Sequence, residues 1–344
     1  MSPVDTPSPP GGRRRKAATI RDVAQAAGVS TATVSKFING GQRFTREVED
    51  RLTAAIRELG YVSNPMARGM ITGQTGNVGI VILDILNPHF TSLVKGASRV
   101  AQQAGLNLLF ADVAEGQLPE LEMLQALSRR VDGLIVSARL SDGAIDWLAQ
   151  SGPPTVYYGG RPARHQGHSI GTDSLEAAQM LGRHLRELGH RRIAYVGFSG
   201  ARWSAQRWAG LQQAFAGSGA ELRQHDVSAP TPTEGERIAS EVLLGAEPPD
   251  AVVAYNDLLA LGLMGQAPVL GLRVPQDVSV AGFDNILYAR YANPPLTTVD
   301  MAGETMGATA MQRLVERIRG AAEDGGHDAL PPRVLARGST VRRG

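Results

Sequence analysis

Seven short apolar runs constrain the fold of this chain more than any other feature. They are VGIVIL (78–83), LNLLFA (106–111), GLIVSA (133–138), PTVYYG (154–159), RIAYVG (192–197), DAVVAYND (250–257) and DVSVAGFDN (277–285). Helical stretches separate them. Continuous apolar strands that alternate with helices are typical of parallel sheets covered on both faces. The pattern therefore predicts a doubly wound α/β core in two halves, over residues 76–340. We expect an N-subdomain of about 76–161 and 292–320, and a C-subdomain of about 162–291 and 321–340.

Composition excludes several classes of protein. The chain has 344 residues, of which 42% are hydrophobic, so it can bury substantial cores. No stretch approaches the length of a membrane span, and no apolar run follows the basic N-terminus, so we expect a cytoplasmic protein. There is no cysteine, and the seven histidines lack a metal-ligand spacing. We therefore expect no metal, no cofactor and no catalytic residues.

Charge is distributed unevenly along the chain. Residues 1–72 carry eleven Lys and Arg against six Asp and Glu, whereas the remaining 272 residues carry 24 against 27. A basic end on a nearly neutral body suits binding to phosphate, because counterion release supplies most non-specific affinity for DNA. Residues 1–18 are rich in Pro and Gly, and we expect a disordered basic arm there. An ordinary solvated polar face would explain the charge equally well.

Residues 19–63 have the pattern of a helix-turn-helix module. Apolar residues recur at helical spacing in a first helix, which Thr19 caps and Gly28 ends. Ser30 is expected to cap a second helix. A third is predicted from about Arg46 to Leu59, with Thr45 as its cap and Leu59 facing inward. Three short helices with a tight turn between the first two predict a small all-α N-terminal domain.

The second helix carries small polar groups on its outer face. A recognition helix in the major groove needs small residues near its start and a longer one a turn later. Thr31, Ala32 and Lys36 fit this requirement, and the residues better suited to phosphate contacts are Ser30, Thr33, Ser35 and Asn39. Simple contact with another protein is an open alternative for a three-helix segment of this kind.

The segment TIRDVAQAAGVSTATVSKFINGGQRFTREVEDRLTAAIRELGYVSNPMAR (19–68) resembles the lactose-repressor (LacI) family of bacterial transcriptional regulators. It follows that family's TIxDVAxxAGVSxxTVSxxxNG pattern nearly residue by residue. The resemblance implies that Thr31, Ala32 and Lys36 read DNA bases. It also implies that the DNA backbone is contacted mainly by Thr19, Arg21, Asn39, Arg43 and Thr45.

Residues 64–75 are predicted to form a hinge helix and linker. Asn64 followed by Pro65 starts a helix too short to be stable alone, and Gly69 weakens it further. In the family such a hinge folds on the operator and wedges a leucine into the minor groove, where this chain has Met70. The resemblance assigns the minor-groove contacts to Asn64, Ala67 and Met70. A plain linker with one helical turn is the alternative.

Polar residues at the ends of the predicted strands indicate a ligand site. Doubly wound sheets bind ligands beyond the carboxyl ends of their strands, where Phe90, Ser137, Asn256 and Asp284 are expected. We expect Asp257 to be a helix cap. The motifs SAQRWAGL (204–211), VVAYNDLLALG (252–262), VPQDVSVAGFDN (274–285) and PPLTTV (294–299) resemble the family's effector core, which is similar to sugar-binding periplasmic proteins. That resemblance implies effector contacts by Arg207, Asn256 and Asp284. Phe90 and Trp203 are candidates for stacking on an apolar ligand face, although a Trp near a helix start more often only packs. Gly160 stands where many relatives have an Asp.

The sequence predicts a dimeric repressor of a carbohydrate-uptake or catabolic operon, associated with the nucleoid when bound. Its partners would be a pseudo-palindromic DNA operator, a second copy of the chain and a small sugar-like effector, with no membrane. The chain ends without leucine heptads, so we expect a dimer and no larger assembly. A sugar-binding protein without a DNA role is the first alternative. An enzyme is the second, but GxxxxGK[ST] is absent, and so is GxGxxG after a strand.

Overall fold

A computed structural model describes residues 18–38, 42–61, 74–113, 119–161, 167–321 and 325–343. The chain divides into two compact units at the peptide between Thr75 and Gly76, which is where the α/β core was expected to begin. No helix in the described ranges combines the length and hydropathy that crossing a bilayer demands.

The first unit is a three-helix module, with α1 at Ile20–Ala27, α2 at Thr31–Ile38 and α3 at Arg46–Leu59. Thr19 and Asp22 form a reciprocal capping box at the start of α1, and Gly28 ends this helix in the left-handed conformation. Ser30 caps α2 by accepting a hydrogen bond from the Thr33 N–H at 3.1 Å. The module has a small core, which consists of Val23, Ala24, Ala27, Val34, Leu52 and Ala55.

Two expectations for α3 were wrong. Thr45 occupies the N-cap position, but its side chain makes no capping hydrogen bond. Instead, the Glu49 carboxylate accepts from the Phe44 N–H at 3.2 Å, just before the helix. Leu59 is 40% exposed, because it lies in the last turn of α3, beyond the packed part of the module. The inward face of α3 therefore ends near Ile56.

The second unit contains two six-stranded sheets. The first has the order β11-β5-β4-β3-β1-β2 and the second β12-β10-β9-β8-β6-β7. Strands of the first sheet are β1 Asn77–Ile82, β2 Asn107–Asp112, β3 Leu134–Ser137, β4 Thr155–Tyr158, β5 Ser169–Thr172 and β11 His327–Leu330. Strands of the second are β6 Arg192–Gly197, β7 Glu221–Asp226, β8 Ala251–Ala254, β9 Ser279–Phe283, β10 Thr297–Asp300 and β12 Arg333–Leu335. Every pairing is parallel except that of β10 with β12, so the predicted parallel α/β core is confirmed.

Helices cover both sheets. They are α4 Pro88–Gln103, α5 Glu120–Ser128, α6 Asp142–Ser151, α7 Ser174–Glu187, α8 Arg202–Phe215, α9 Pro232–Leu243, α10 Asp257–Gln266, α11 Leu287–Tyr291 and α12 Gly303–Ile318, with a 3₁₀ turn at Pro268–Leu270. Helix α12 packs on α4 against the first sheet, whereas α7 packs on α8 and α9 on α10 against the second. Each sheet thereby lies inside its own apolar core.

The subdomain boundaries differ from those expected. The chain crosses between the sheets three times, after β5, after β10 and after β11. We therefore define the N-subdomain as residues 76–172 and 303–330, and the C-subdomain as 174–300 and 333–343. The expected boundaries failed because β5, β10, β11 and β12 are only three or four residues long and carry no continuous apolar run. Residues 167–172 and 325–330 thus belong to the N-subdomain, and residues 292–300 to the C-subdomain.

Both sheets have a point at which the strand order reverses. In the first sheet β1 lies between β2 and β3, and in the second β6 lies between β7 and β8. The loops that leave β1 and β3 go to opposite faces of the sheet, so a crevice opens at the carboxyl ends of these strands. The same geometry holds for β6 and β8. The fold therefore provides two facing crevices in the second unit.

Candidate functional site

The outer face of α2 is the candidate nucleic-acid surface. Thr31, Ala32 and Lys36 are all exposed, whereas Val34 on the opposite side is fully buried. The Lys36 ammonium donates to the Gln42 side-chain oxygen at 3.4 Å, a long bond that a stronger acceptor can displace. The helix therefore presents two small groups in its first turn and a cation one turn later.

Several of the expected phosphate-binding side chains already have partners within the module. The Thr19 N–H and hydroxyl both donate to the Asp22 carboxylate, at 2.7 and 2.8 Å. Ser30 and Thr33 share a hydrogen bond of 2.9 Å between their hydroxyls. These groups set the ends of α1 and α2, so a phosphate contact from Thr19 or Ser30 would come in addition to a capping role.

The remaining expected DNA contacts divide into two groups. Arg21, Arg43 and Thr45 are exposed, and Ser35 is half-buried. Asn39 and the hinge residues Asn64, Ala67 and Met70 lie outside the described residues, as do the first seventeen residues of the basic arm. All of these contacts remain predictions.

The candidate ligand site is a cleft of about 620 Å³ between the two sheets of the second unit. Its walls come from the two switch points, through the ends of β1 and β3 on one side and the segments after β6 and β8 on the other. The residues that line it are Leu83, Asn87, His89, Phe90, Ser137, Arg139, Tyr158, Gly159, Thr172, Ser174, Trp203, Arg207, Pro230, Tyr255, Asn256, Asp284, Met301 and Met306. All six side chains predicted to bind an effector are among them.

Arg207 is the central cation of the cleft. It is 5% exposed, and its guanidinium lies between two aromatic rings, 4.7 Å from the centroid of Tyr255 and 4.3 Å from that of Phe283. One Nη donates to the Tyr255 carbonyl. Its Nε is buried without a hydrogen-bond partner among the described residues. A buried donor left unpaired is costly, so this nitrogen is a strong candidate to bind a ligand oxygen.

Asn256, and not Asp257, caps the helix that follows β8. Asn256 is the N-cap of α10, where its oxygen accepts from the Leu259 N–H at 2.9 Å and its amide donates to the Pro230 carbonyl at 3.0 Å. Asp257 is therefore not the cap that we expected. Its buried carboxylate accepts from the Thr298 hydroxyl at 2.6 Å and from the Ile286 N–H at 2.9 Å. Asp257 thus fastens the turn that follows β9.

That turn carries Asp284 into the cleft. Asp284 has φ 108° and Asn285 has φ 53°, both in the left-handed region that is uncommon for residues other than glycine. Burial raises the pKa of Asp257 well above its usual range, and the negative charge of Asp284 adds to this effect. Gly282 is required just before the turn, because a Cβ there would lie 2.4 Å from the Asp257 carboxylate.

Asp284 faces a histidine across the cleft. Its carboxylate lies 3.8 Å from Nδ1 of His89, at the start of α4 in the N-subdomain. This distance is too long for a hydrogen bond, and His89 Nδ1 has no such partner among the described residues. The Asp284 carboxylate and the His89 ring nitrogen therefore face the same space from opposite walls of the cleft.

Trp203 crosses from the C-subdomain to pack on the end of β4. Gly159 and Gly160 both have positive φ, of 80° and 117°. A Cβ on Gly159 would lie 3.1 Å from the Trp203 ring. The two glycines provide the space that this indole fills. Trp203 therefore lines the cleft at its rim. It does more than pack near the start of its helix.

The last two expected residues line the N-subdomain wall. Phe90 is 7% exposed and packs edge-on against Tyr158, with ring centroids 6.3 Å apart. The Ser137 hydroxyl accepts from the Arg139 N–H at 3.1 Å and fixes the turn after β3. Both residues shape the wall from which a ligand would be contacted.

Sequence reasoning missed several polar residues of the cleft, among them Arg139, His89 and Thr172. Arg139 lies two residues beyond Ser137, and the rule that ligands bind at strand ends would have found it. His89 is the residue directly before Phe90, which was predicted. Thr172 ends β5, a strand that has no apolar run and was not predicted. Within the described ranges, no three His, Asp or Glu side chains are grouped so that they could hold a metal ion.

Comparisons with known proteins agree with this architecture. A model described as "Bacterial regulatory proteins, lacI family" matches residues 19–64, and a "Periplasmic binding protein-like domain" matches residues 183–340. The HTH-type transcriptional repressor PurR of Erwinia tasmaniensis is 32% identical over 336 residues, which cover 94% of this chain and 97% of that protein. The HTH-type transcriptional repressor CytR of Escherichia coli K12 is 29% identical over 333 residues, covering 95% and 98%.

Solved structures resemble the chain over nearly its whole length. The lac repressor dimer bound to operator and the anti-inducer ONPF has a TM-score of 0.84 and 25% identity, covering 95% of this chain and all of that one. A complex of the transcriptional regulator CelR with cellobiose has a TM-score of 0.69 and 28% identity, covering 94% and 99%. The predicted combination of a helix-turn-helix module with a periplasmic-binding-protein-like core is thereby confirmed.

Proposed function

Because the chain belongs to the LacI family of bacterial regulatory proteins, we propose that it is a transcriptional repressor. Its affinity for operator DNA would be controlled by a small molecule bound in its cleft. One observation carries the proposal. The same chain has a helix-turn-helix with an exposed recognition face and a cleft containing a buried arginine, Arg207, whose Nε has no hydrogen-bond partner among the described residues. The relatives are transcriptional repressors, so the chain is not an enzyme.

The DNA-binding step rests on the exposed face of α2. In the proposed complex α2 lies in the major groove, with the Ala32 methyl against a base edge and the Lys36 ammonium reaching guanine O6 or N7. Thr31 reads a neighbouring base through its hydroxyl or methyl. Two copies of the chain would place two such helices on a pseudo-palindromic operator, as in the operator-bound dimer to which the chain is similar.

The control step rests on the cleft. A ligand shifts a two-state protein only by its difference in affinity for the two states. We propose that the effector is sugar-like and that Arg207, Asn256 and Asp284 bind its polar groups in only one arrangement of the subdomains. That arrangement would alter the hinge over residues 64–75, and thereby operator affinity. We place this action in the bacterial cytoplasm, on the nucleoid when the protein is bound.

A matched pair of substitutions tests the DNA-binding step. Ala32→Glu puts a carboxylate on the proposed recognition face, whereas Ala54→Glu puts the same charge on an exposed position of α3. The operator is first obtained by selecting genomic fragments with the full-length protein. We expect A32E to weaken binding to this DNA by about tenfold or more, from the loss of ~1–3 kcal/mol of base contact and added repulsion, and A54E to weaken it far less.

Two results would overturn the proposal. If A32E and A54E bound the selected DNA equally well, α2 would not be the recognition helix. If full-length protein enriched no sequence in the selection, with or without a panel of sugars, phosphosugars and nucleosides, the alternative of a small-molecule-binding protein without a DNA role would be favoured.

A further inference from the structure

The three side chains proposed to bind the polar groups of the effector all lie on one side of the cleft. Arg207 on α8, Asn256 at the start of α10 and Asp284 after β9 belong to the C-subdomain. A ligand shifts the balance between two arrangements only through contacts that differ between them. Contacts to one subdomain alone are the same however the two subdomains are arranged. Control by the ligand therefore requires, in addition, a contact from the N-subdomain.

His89 has a buried polar atom available for that contact. Its side chain is 13% exposed, and its Nδ1 is buried without a hydrogen-bond partner among the described residues. A buried polar atom of this kind is costly unless a ligand supplies the partner. Polar side chains of the same wall that already have partners in the protein are Asn87, Ser137, Arg139, Tyr158 and Thr172.

The His89 ring is held in place by the N-subdomain. Asn87 caps α4 and accepts a hydrogen bond from the His89 N–H at 3.0 Å. The ring lies edge-on to that of Phe90, with centroids 5.3 Å apart. Gly303, the first residue of α12, lies beside it, because a Cβ there would be 3.5 Å from Nδ1. His89 therefore moves with α4 and α12 when the subdomains move.

Asp284 faces the same nitrogen from the C-subdomain. Its side chain is 9% exposed, and no described residue hydrogen-bonds to its carboxylate, which lies 3.8 Å from His89 Nδ1. A hydroxyl oxygen placed to one side of the line between these two atoms can lie about 2.8 Å from both. It would accept from an Nδ1–H and donate to the carboxylate, so one group would satisfy both walls.

Other ligand groups fit this position less well. An oxygen of a carboxylate or phosphate has no proton to donate to Asp284, and its charge would be repelled. An ammonium could donate to Asp284 and to an unprotonated Nδ1. It would, however, add a second cation to a cleft that already contains the buried guanidinium of Arg207. The neutral hydroxyl is therefore favoured.

We propose that a hydroxyl group of the effector bridges His89 and Asp284, and that His89 is the N-subdomain contact through which the effector controls the arrangement of the subdomains. This inference rests on the proposed function, since it names the ligand group and the residue through which the same cleft exerts control. The effector is a neutral polyhydroxyl compound, and Nδ1 carries the ring proton of His89.

Calorimetric titration of the full-length protein tests the ligand side of the bridge. D-ribose, D-xylose, D-glucose, D-galactose and cellobiose are titrated first. The best-binding sugar is then compared with analogues in which each hydroxyl in turn is replaced by hydrogen or by an amino group. One deoxy analogue should bind about ten- to hundredfold more weakly than the parent sugar, because it loses a hydrogen bond to a charged group. The amino analogue at the same carbon should also bind more weakly than the parent.

Variants of His89 test the protein side. His89→Phe keeps a ring but removes Nδ1, so it should weaken binding of the parent sugar about three- to tenfold, the size of one neutral hydrogen bond. Binding of the sensitive deoxy analogue should be unchanged, because that bond is already absent. His89→Asn should restore most of the loss, since its amide nitrogen is attached to Cγ as Nδ1 is. His225→Phe, the same substitution outside the cleft, should bind both compounds as the native protein does.

Operator affinity measured at saturating sugar separates control from ligand affinity. A contact made in only one arrangement contributes its full strength to the coupling. H89F should therefore reduce the effect of the sugar on the operator dissociation constant by the same three- to tenfold factor, and H89N should restore it.

Four results overturn the bridge. They are the absence of binding by every sugar, losses from deoxygenation and from H89F that simply add, an amino analogue that binds more tightly than its parent, and tighter sugar binding by H89F, which would indicate a direct pair between His89 and Asp284. A hydroxyl that depends on His89, without any operator response in the native protein, supports the bridge and contradicts the regulatory role. An operator response that H89F leaves unchanged supports the regulatory role and overturns the inference.

Discussion

The two units of the chain place their candidate functional side chains in opposite ways. On the helix-turn-helix module, Thr31, Ala32 and Lys36 lie exposed on α2 and contribute nothing to the small core. In the α/β unit, Arg207 and Asn256 are at least 95% buried and hold the protein's own backbone as well as lining the cleft. A change to a candidate DNA-binding side chain should therefore leave the stability of the first unit unaltered. In the second unit, a change to a candidate ligand-binding side chain should alter stability as well.

The difference follows from the ligands. DNA is recognised through a convex surface that enters a groove, so the side chains that read it extend into solvent. A small molecule is recognised in a concave site that removes most of its surface from water, and the side chains that bind it must themselves be buried. Buried polar groups need partners in the absence of ligand, and the backbone supplies them.

The largest expected effect comes from a substitution in the core of the module, which should unfold the module although the recognition face is unchanged. Leu52 on α3 is completely buried in the small core of the module, so Leu52→Ala should cost about 2–5 kcal/mol and unfold the module. Leu59→Ala, on the same helix but at a 40% exposed position, should cost less than about 0.5 kcal/mol. Thermal denaturation and operator binding measure both. Equal losses for the two variants would contradict the assigned core.

The next effect tests whether recognition is separable from stability. Lys36→Ala should reduce discrimination at one base position per half-site by about 1–3 kcal/mol, with the melting temperature unchanged. Arg43→Ala should weaken binding to all sequences alike and lower the salt slope by about one unit. Binding to selected and random DNA at several salt concentrations distinguishes them. If K36A lost affinity equally on both DNAs, Lys36 would be a phosphate contact.

Because Asn256 both caps α10 and lines the cleft, we expect its removal to lower both stability and ligand affinity. Asn256→Ala removes the cap of α10, which should lower stability by about 0.5–2 kcal/mol, and it should weaken ligand binding as well. Asp173 caps α7 in the same way but does not line the cleft, so Asp173→Ala should lower stability alone. Calorimetry and thermal melting report the two quantities. A ligand affinity that N256A leaves unchanged would restrict Asn256 to capping.

The last prediction concerns the pH dependence of stability, for which only the direction is fixed. The pKa of Asp257 is raised in the folded state, chiefly by burial, so its stabilising contribution is fully present below its unfolded pKa and is lost as pH rises through the folded value. Asp257→Asn mimics the protonated form, because its oxygen can accept from Ile286 N–H while its amide donates to the Thr298 hydroxyl. We expect D257N to gain stability relative to the native protein as pH rises, by at most about 1.4 kcal/mol per pH unit. Denaturant unfolding between pH 4 and about 8 measures this difference, and a difference that stayed constant or shrank would contradict the assignment.

The two units also differ in how well the sequence predicted them. The helix ends of the module follow from adjacent residues, such as the Thr19–Asp22 capping box and Gly28, so local patterns were sufficient. Leu59 was misplaced because periodicity continues past the point where the partner helices end. In the core, the long apolar strands were found, but β7 was missed, because ELRQHD lies at a sheet edge and is largely exposed.

The cleft residues were predicted through strand ends and resemblance, but their couplings were not. No local pattern reveals that Asn256 caps α10 while Asp257 holds the turn at Asp284, since Asp257 binds Ile286 and Thr298, 29 and 41 positions away. The strand-end rule would have found Arg139 itself, but not its contacts with Phe198 and Trp203, because these rings belong to the other subdomain. Such contacts become visible only when the two sheets face each other.

Operator affinity with and without a saturating ligand of the cleft tests the central claim most directly. The ligand is the compound that calorimetry shows to bind the full-length protein, and the operator is the DNA that the same protein selects. A coupling of about 1–3 kcal/mol, which changes the operator dissociation constant by about 5- to 150-fold, is the result that this account predicts. An unchanged dissociation constant with the cleft fully occupied would contradict it.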